Sequence, residues 1–161
     1  MRDDTKAQRQ SQIEAAAYAL LEEKGYAGAS MLAIARRAKA SNETLYNWYG
    51  DKTGLFSSLV TRNAIEVKSL LEQHLTAQSD PLRTLQTLGP VLLGVLTGAR
   101  AVALNRAAAA DPSGALGATL ASAGRDTITP LITRVFAQLR DSGALLIDEP
   151  ARASEIYLSL L

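Results

Sequence analysis

The sequence predicts an all-α protein, and three observations carry that expectation. Apolar residues recur at three- and four-residue spacing in most segments, the period of an amphipathic helix. Helix start and stop signals punctuate the chain: Ser30, Ser41, Asp51 and Asp80 precede periodic runs, while Gly25 and Gly143 follow them. No segment reads convincingly as a strand, and no internal repeat is present. At 161 residues the chain forms one or two domains and is long enough to bury a real core.

Residues 1–7 read as a loose polar lead. From about residue 7 to 24, Ile13, Ala16, Ala17, Leu20 and Leu21 follow the i, i+3, i+4, i+7, i+8 rule for one buried face. Gly25 is placed to close that helix as its C′ residue. Residues 30–49, SMLAIARRAKASNETLYNWY, then read as two short helices joined by a tight turn. Ser30 is an N-cap for a stripe of Leu32, Ile34, Ala35 and Ala38, Lys39-Ala40 breaks the pattern, and Ser41 caps the second helix.

That arrangement fits a helix-turn-helix, whose second helix enters the DNA major groove. It also fits an ordinary helical hairpin with a solvated face. Leu45 and Trp48 can anchor one side of the second helix, leaving Asn42, Glu43, Thr44, Tyr46 and Asn47 on a polar one. Asn can pair with adenine, Thr can touch a thymine methyl, and Glu can accept from cytosine N4. Three of the chain's eight aromatics fall in residues 46–49, where a tyrosine can bury its ring and point its hydroxyl at a phosphate.

Asp51 caps a long helix running to about residue 77, whose start brings Lys52 beside the polar helix. Its inward stripe is Phe56, Leu59, Val60, Asn63, Val67, Leu70, Leu71 and His74. Asn63 and His74 either line a ligand cavity, with Val67 between them on the stripe, or Asn63 bonds locally and His74 sits solvated near the helix end. All five prolines lie after residue 80. Asp80-Pro81 starts a helix that is apolar nearly all round, with Leu82, Leu85, Leu88, Leu92 and Leu96 on one stripe. Its glycines and Pro90 weaken it and leave room for a cavity beside Leu92 and Leu96. Residues 100–110 form an Ala-rich helix, and residues 111–114 a turn. Residues 115–143 make one or two helices, breaking at Gly124 or Pro130, with Ile128, Leu131, Ile132, Val135, Phe136 and Leu139 as the strongest apolar pattern. The helix beginning at Asp148-Glu149-Pro150 carries Ile156, Tyr157, Leu160 and Leu161.

Residues 41–56, SNETLYNWYGDKTGLF, resemble the signature of TetR-family transcriptional repressors. The shared pattern is Ser, two variable residues, Thr-Leu-Tyr, two more, an aromatic, a short turn, then Lys before Leu-Phe. Gly25-Tyr26 and Ile34-Ala35 also fall where that family has them, and the resemblance covers roughly residues 8–59. Lys39 departs from it by standing where the family commonly has Gly. Asn42-Glu43 replaces what is often a basic or small pair, so the second motif helix carries one negative charge and no positive one.

The resemblance implies a three-helix DNA-binding domain over residues 1–50 and a helical ligand-binding and dimerisation domain over residues 51–161. It implies a repressor that binds a double-stranded DNA operator as a homodimer and is released by a small apolar or amphipathic effector. The alternative is a ligand-independent regulator or architectural protein. The DNA-contact set is Ser30, Met31, Ser41, Asn42, Glu43, Thr44, Tyr46, Asn47, Tyr49 and Lys52, with Tyr46, Tyr49 and Lys52 on the phosphates. The ligand set is Asn63, Val67, His74, Leu92 and Leu96. The dimer set is Leu131, Ile132, Val135, Phe136 and Leu139 with Ile156, Tyr157 and Leu160. TetR-like chains generally end in two long helices that pair with their mates. Here the final one is short, so either the chain is a shortened form or the dimer leans more on residues 128–139.

Composition narrows the rest. The net charge is only +1, so positive charge must act locally, through Arg36, Arg37, Lys39 and Lys52 with Lys6 and Arg9 before them. There is no Cys and one His, which removes thiol nucleophiles, thiolate metals and multi-histidine metal sites. No carboxylates pair on an apolar face, so no enzyme activity and no cofactor are expected. The polar start and the short apolar runs point to a cytoplasmic protein with no membrane partner.

Overall fold

The structure, a computed structural model, describes residues 2–77 and 80–160, and among them it is helical with no strand. The helices are α1 (Arg2–Gly28), α2 (Met31–Arg37), α3 (Asn42–Tyr49), α4 (Lys52–Ala77), α5 (Pro81–Leu96), α6 (Ala99–Ala110), α7 (Ala115–Ala123), α8 (Thr129–Asp141) and α9 (Pro150–Ser159). A π-helical turn, Gly124–Ile128, joins α7 to α8, at the break expected near Gly124 and Pro130. Of the lead expected over residues 1–7, residues 2–7 are instead the start of α1, which begins at Arg2, and residue 1 lies outside the described residues. No single helix among the described residues is long and apolar enough to cross a membrane.

The ends of these helices follow the side chains expected to set them. Ser30 Oγ accepts from Ala33 N at 3.2 Å and Ser41 Oγ from Thr44 N at 3.0 Å. Asp51 Oδ1 accepts from Gly54 N at 2.7 Å and Asp80 Oδ1 from Leu82 N at 3.0 Å. Each satisfies an orphan donor of a first turn, worth about 1 kcal/mol of helix stability. Gly25 interrupts α1 at φ 66°, left-handed as a C′ residue should be.

The backbone divides into two compact units, one holding the chain up to Thr61 with Ala99–Leu120, the other Arg62–Gly98 with Ala121–Leu161. The boundary expected between residues 50 and 51 falls inside the first unit. There α1 packs on α2 and α6. Its expected stripe, Ile13, Ala16, Ala17, Leu20 and Leu21, is wholly buried, with Ile34, Leu45, Leu55 and Phe56 among the core residues of the same unit. Tyr26 meets Phe56 edge-on at 5.3 Å.

The second unit has its own core of Leu71, Leu88, Leu92, Leu131, Ile132, Val135, Phe136 and Leu139. This corrects the dimer expectation: Leu131, Ile132, Val135, Phe136 and Leu139 are buried within their own chain and present no face to a partner. The Tyr157 ring packs edge-on against Phe136 at 5.8 Å, and its hydroxyl donates to Leu85 O at 3.3 Å. Burial raises that phenol above its ordinary pKa. The hydroxyl can approach because Gly89 has no side chain there. Ile156 and Leu160 of the expected dimer set are exposed, at 54% and 81%. Leu161 lies outside the described residues.

The ligand expectation also changes in this unit. His74 is exposed, the solvated arrangement weighed against a cavity role, and its Nδ1 meets Leu70 O at 3.1 Å. Leu96 is exposed, Leu92 is core, Val67 packs against that core, and Asn63 is half-buried. None of the five lines any of the four clefts that stand out among the described residues.

Candidate nucleic-acid interface

The turn between α2 and α3 sets the site. Ala40 N donates to Ala35 O at 3.0 Å and Lys39 N to Arg36 O at 3.3 Å, the paired bonds of a Schellman motif with Lys39 at C′. Lys39 takes φ 51°, the only positive φ at a non-glycine residue among those described. The left-handed conformation costs a residue with a Cβ about 1 kcal/mol. It is braced from α1: Arg9 Nη1 donates to Lys39 O at 2.9 Å. A second tie, Arg37 Nη1 to Glu23 Oε2 at 2.6 Å, joins α2 to the end of α1 and holds the Glu23 carboxyl below its usual range.

On that frame α3 is anchored by Leu45, which has no exposure, and turns the other side outward. Asn42, Glu43, Tyr46 and Asn47 are all exposed, and Thr44 is half-buried beside the cap. Ser41 Oγ meets Thr44 Oγ1 at 2.7 Å, so both hydroxyls serve the helix start as well as facing solvent. Glu43 sits in the first turn, where a carboxylate also favours the positive end of the helix dipole.

Cations flank this face. Lys6, Arg9 and Lys39 line a cleft of about 680 Å³ together with Ser41, Thr44 and Trp48. Lys6 Nζ lies 5.8 Å from the centre of the Trp48 ring. Lys6 and Arg9 were legible only as local positive charge; the continuation of α1 back through residues 2–7 is what sets them beside α3.

Three expected contacts are corrected. Met31 is buried at 6% exposure and belongs to the core of the unit. The Tyr49 hydroxyl is buried, so it does not point at a phosphate. Lys52 turns inward: its Nζ donates to Tyr26 O and lies 4.0 Å from the centre of the Tyr26 ring. Burial pushes the Lys52 ammonium below its ordinary pKa, with the Asp111 carboxylate pulling the other way. The Asp111 carboxylate accepts from Leu116 N at 3.0 Å and from Ser113, which hold it below the usual carboxylate range.

A helix with a capped start, an exposed polar face and cations on its flank is what a major-groove reader needs. Sequence comparison agrees. The model of a family described as bacterial regulatory proteins, tetR family, matches residues 13–59. A TetR-family transcriptional regulator from Mesorhizobium loti shares 30% identity, with 92% of this chain and 76% of that one covered and a TM-score of 0.78. The chain belongs to the TetR family. A second TetR-family regulator, from Agrobacterium tumefaciens, is also 30% identical, over 91% of this chain and 74% of its own, with a TM-score of 0.71. The transcriptional regulator FadR from Bacillus subtilis, solved in complex with stearoyl-CoA, shares the fold at a TM-score of 0.79 and 15% identity, over 92% of this chain and 81% of that one. No curated protein matches the sequence significantly. As a TetR-family member the chain is an all-α, helix-turn-helix DNA-binding transcription regulator.

Proposed function

We propose that this TetR-family regulator is a repressor that binds its operator as a homodimer and loses affinity when a small apolar or amphipathic molecule binds. The observation that carries the DNA reading is the exposed face of α3, Asn42, Glu43, Tyr46 and Asn47, with Lys6, Arg9 and Lys39 at its edge. Asn42 and Asn47 are candidates for bidentate pairing with adenine, Glu43 for accepting from cytosine N4, and Tyr46 for a phosphate or a thymine methyl. Lys6 and Lys39 supply backbone charge, which positions the helix without reading sequence. In place of residues 1–50 alone, we propose that the DNA-binding head also uses the start of α4 with α6 and α7, and that the remainder serves regulation and dimerisation.

A two-fold dimer supports reading two half-sites about 34–36 Å apart. With the α8 residues committed to the core, exposed Ile156 of α9 and Leu160 at its C-cap are the apolar groups left from the expected dimer set. Selection from a random DNA library tests the reading: recovered sites should be inverted repeats bound at least a hundredfold tighter than scrambled sequence at physiological salt. Equal affinity for selected and scrambled DNA overturns it. A ligand-independent regulator is the second reading, and it is favoured by His74 and Leu96 facing solvent. A thermal-shift screen decides between them, and the stearoyl-CoA held by the FadR neighbour gives acyl-CoA thioesters a place in it.

A further inference from the structure

On the first unit, away from α3, helices α1 and α6 leave a cleft of about 660 Å³ between them. That volume is in the range of small-molecule sites, about 300–1,000 Å³. Its origin is in the sequence: Ala99, Ala103 and Ala107 of α6 recur every fourth residue and line it, and Gly25 adds no side chain from α1. Leu21 and Tyr26, at 7% and 8% exposure, give it apolar walls.

The charges around it are unequal. Arg100 and Arg106 of α6 line the cleft, and Glu22 is the one carboxylate among the residues that do. The Arg100 guanidinium lies 5.3 Å from the centre of the Tyr18 ring, within cation–π reach. Arg106 is exposed and has no salt-bridge partner among the described residues.

We infer that this cleft binds a small amphipathic organic anion, with its carboxylate or sulfonate on Arg106 and Arg100 and its apolar body against Leu21, Tyr26 and Ala103. A guanidinium fork matches such a head group in shape as well as charge, so a neutral analogue of the same body loses that end of the contact. Glu22 disfavours a second negative charge on the α1 side. An occupant would also bear on Tyr26, whose ring meets Phe56 and whose carbonyl holds Lys52.

The probe pair is 8-anilinonaphthalene-1-sulfonate and N-phenyl-1-naphthylamine, which share the ring body and differ in the sulfonate. Fluorescence titrations use the full chain without DNA, so the result is independent of the operator reading. The sulfonate probe should saturate a single site and bind roughly tenfold tighter than the neutral amine. Arg106→Gln, at an exposed position that leaves the fold intact, should weaken it roughly tenfold. Ala103→Phe should fill the cleft and remove saturable binding while the circular dichroism spectrum is retained. Equal affinity for the two probes, no saturable binding, or binding untouched by Arg106→Gln overturns the inference. Should Ala103→Phe unfold, the Arg106→Gln comparison alone decides.

Discussion

Gly54 stands in the first turn of α4, where a helix former would ordinarily be preferred to glycine. Replacing a mid-helix Gly with Ala gains about 1 kcal/mol, so on propensity alone Gly54→Ala should stabilise the protein. The structure reverses the sign. A Cβ at residue 54 would overlap the carbonyl oxygen of Tyr49 and stand 3.2 Å from its carbonyl carbon. Both are backbone atoms at the end of α3, and no rotamer change can relieve them. Overpacking costs about 1–3 kcal/mol. Against rigid backbone the upper part of that range applies, leaving a net loss of about 1–2 kcal/mol after the propensity gain. For a chain of this length that lowers Tm by about 2–8 °C. The displaced groups end α3, so on the proposed DNA reading affinity for selected DNA should fall as well. Gly94→Ala is the internal control: it is exposed, inside α5, and meets nothing within 4 Å. It should raise Tm by about 2–4 °C. Thermal denaturation followed by circular dichroism measures both, and a Gly54→Ala protein at or above the wild-type Tm would refute the close approach of α3 and α4.

Four further outcomes follow from the same geometry. Lys6→Ala and Lys39→Ala should each reduce the slope of log K against log salt by about one, while Lys52→Ala leaves that slope unchanged and lowers Tm, as DNA titrations at several salt concentrations would show. Phe136→Ala should cost about 3–5 kcal/mol in urea denaturation, as core loss, whereas Ile156→Asp with Leu160→Asp should give a folded monomer by sedimentation. Asp111 has a folded pKa below its ordinary 3.8, so its stabilisation is present above that value and is lost as pH falls through the lower one; Asp111→Asn should flatten the acid limb of the stability profile. Tyr157→Phe should cost about 0.5–1.5 kcal/mol through the lost bond to Leu85 O. It should also remove a loss of stability at alkaline pH, because the folded phenol pKa is raised above its ordinary 10.0.

Local chemistry was legible in the sequence wherever it acts over a few residues. Ser30, Ser41, Asp51 and Asp80 announced helix starts, Gly25 and Gly143 their ends, and each does so through a bond or dihedral within its own turn. The left-handed turn at Lys39 was legible from the family pattern, though the Arg9 brace 30 residues away was not. Long-range contacts explain the misses. A lysine at a helix start beside a polar helix reads as a phosphate ligand, and nothing nearby in the sequence says that the Tyr26 ring will take it. The apolar stripe on α8 shows that something covers it, but periodicity is blind to whether the cover is the same chain or another. Phe136 is covered by its own unit, and only Ile156 and Leu160 remain outside.

The division of the chain into two units has a consequence for anyone cutting it. The backbone passes between them at three places: Thr61 to Arg62 within α4, Gly98 to Ala99 in the α5–α6 connection, and Leu120 to Ala121 within α7. Two of those passages are inside helices, where a protease finds little extended chain to cleave. A gene fragment ending at residue 61 would encode α1, α2 and α3 without α6, which packs on α1. Leu21 and Tyr26, which share a cleft with α6, would then lose that neighbour. Grafting this reader onto another protein therefore calls for an insertion that carries residues 99–120 along, in the manner of a nested rather than a tandem module.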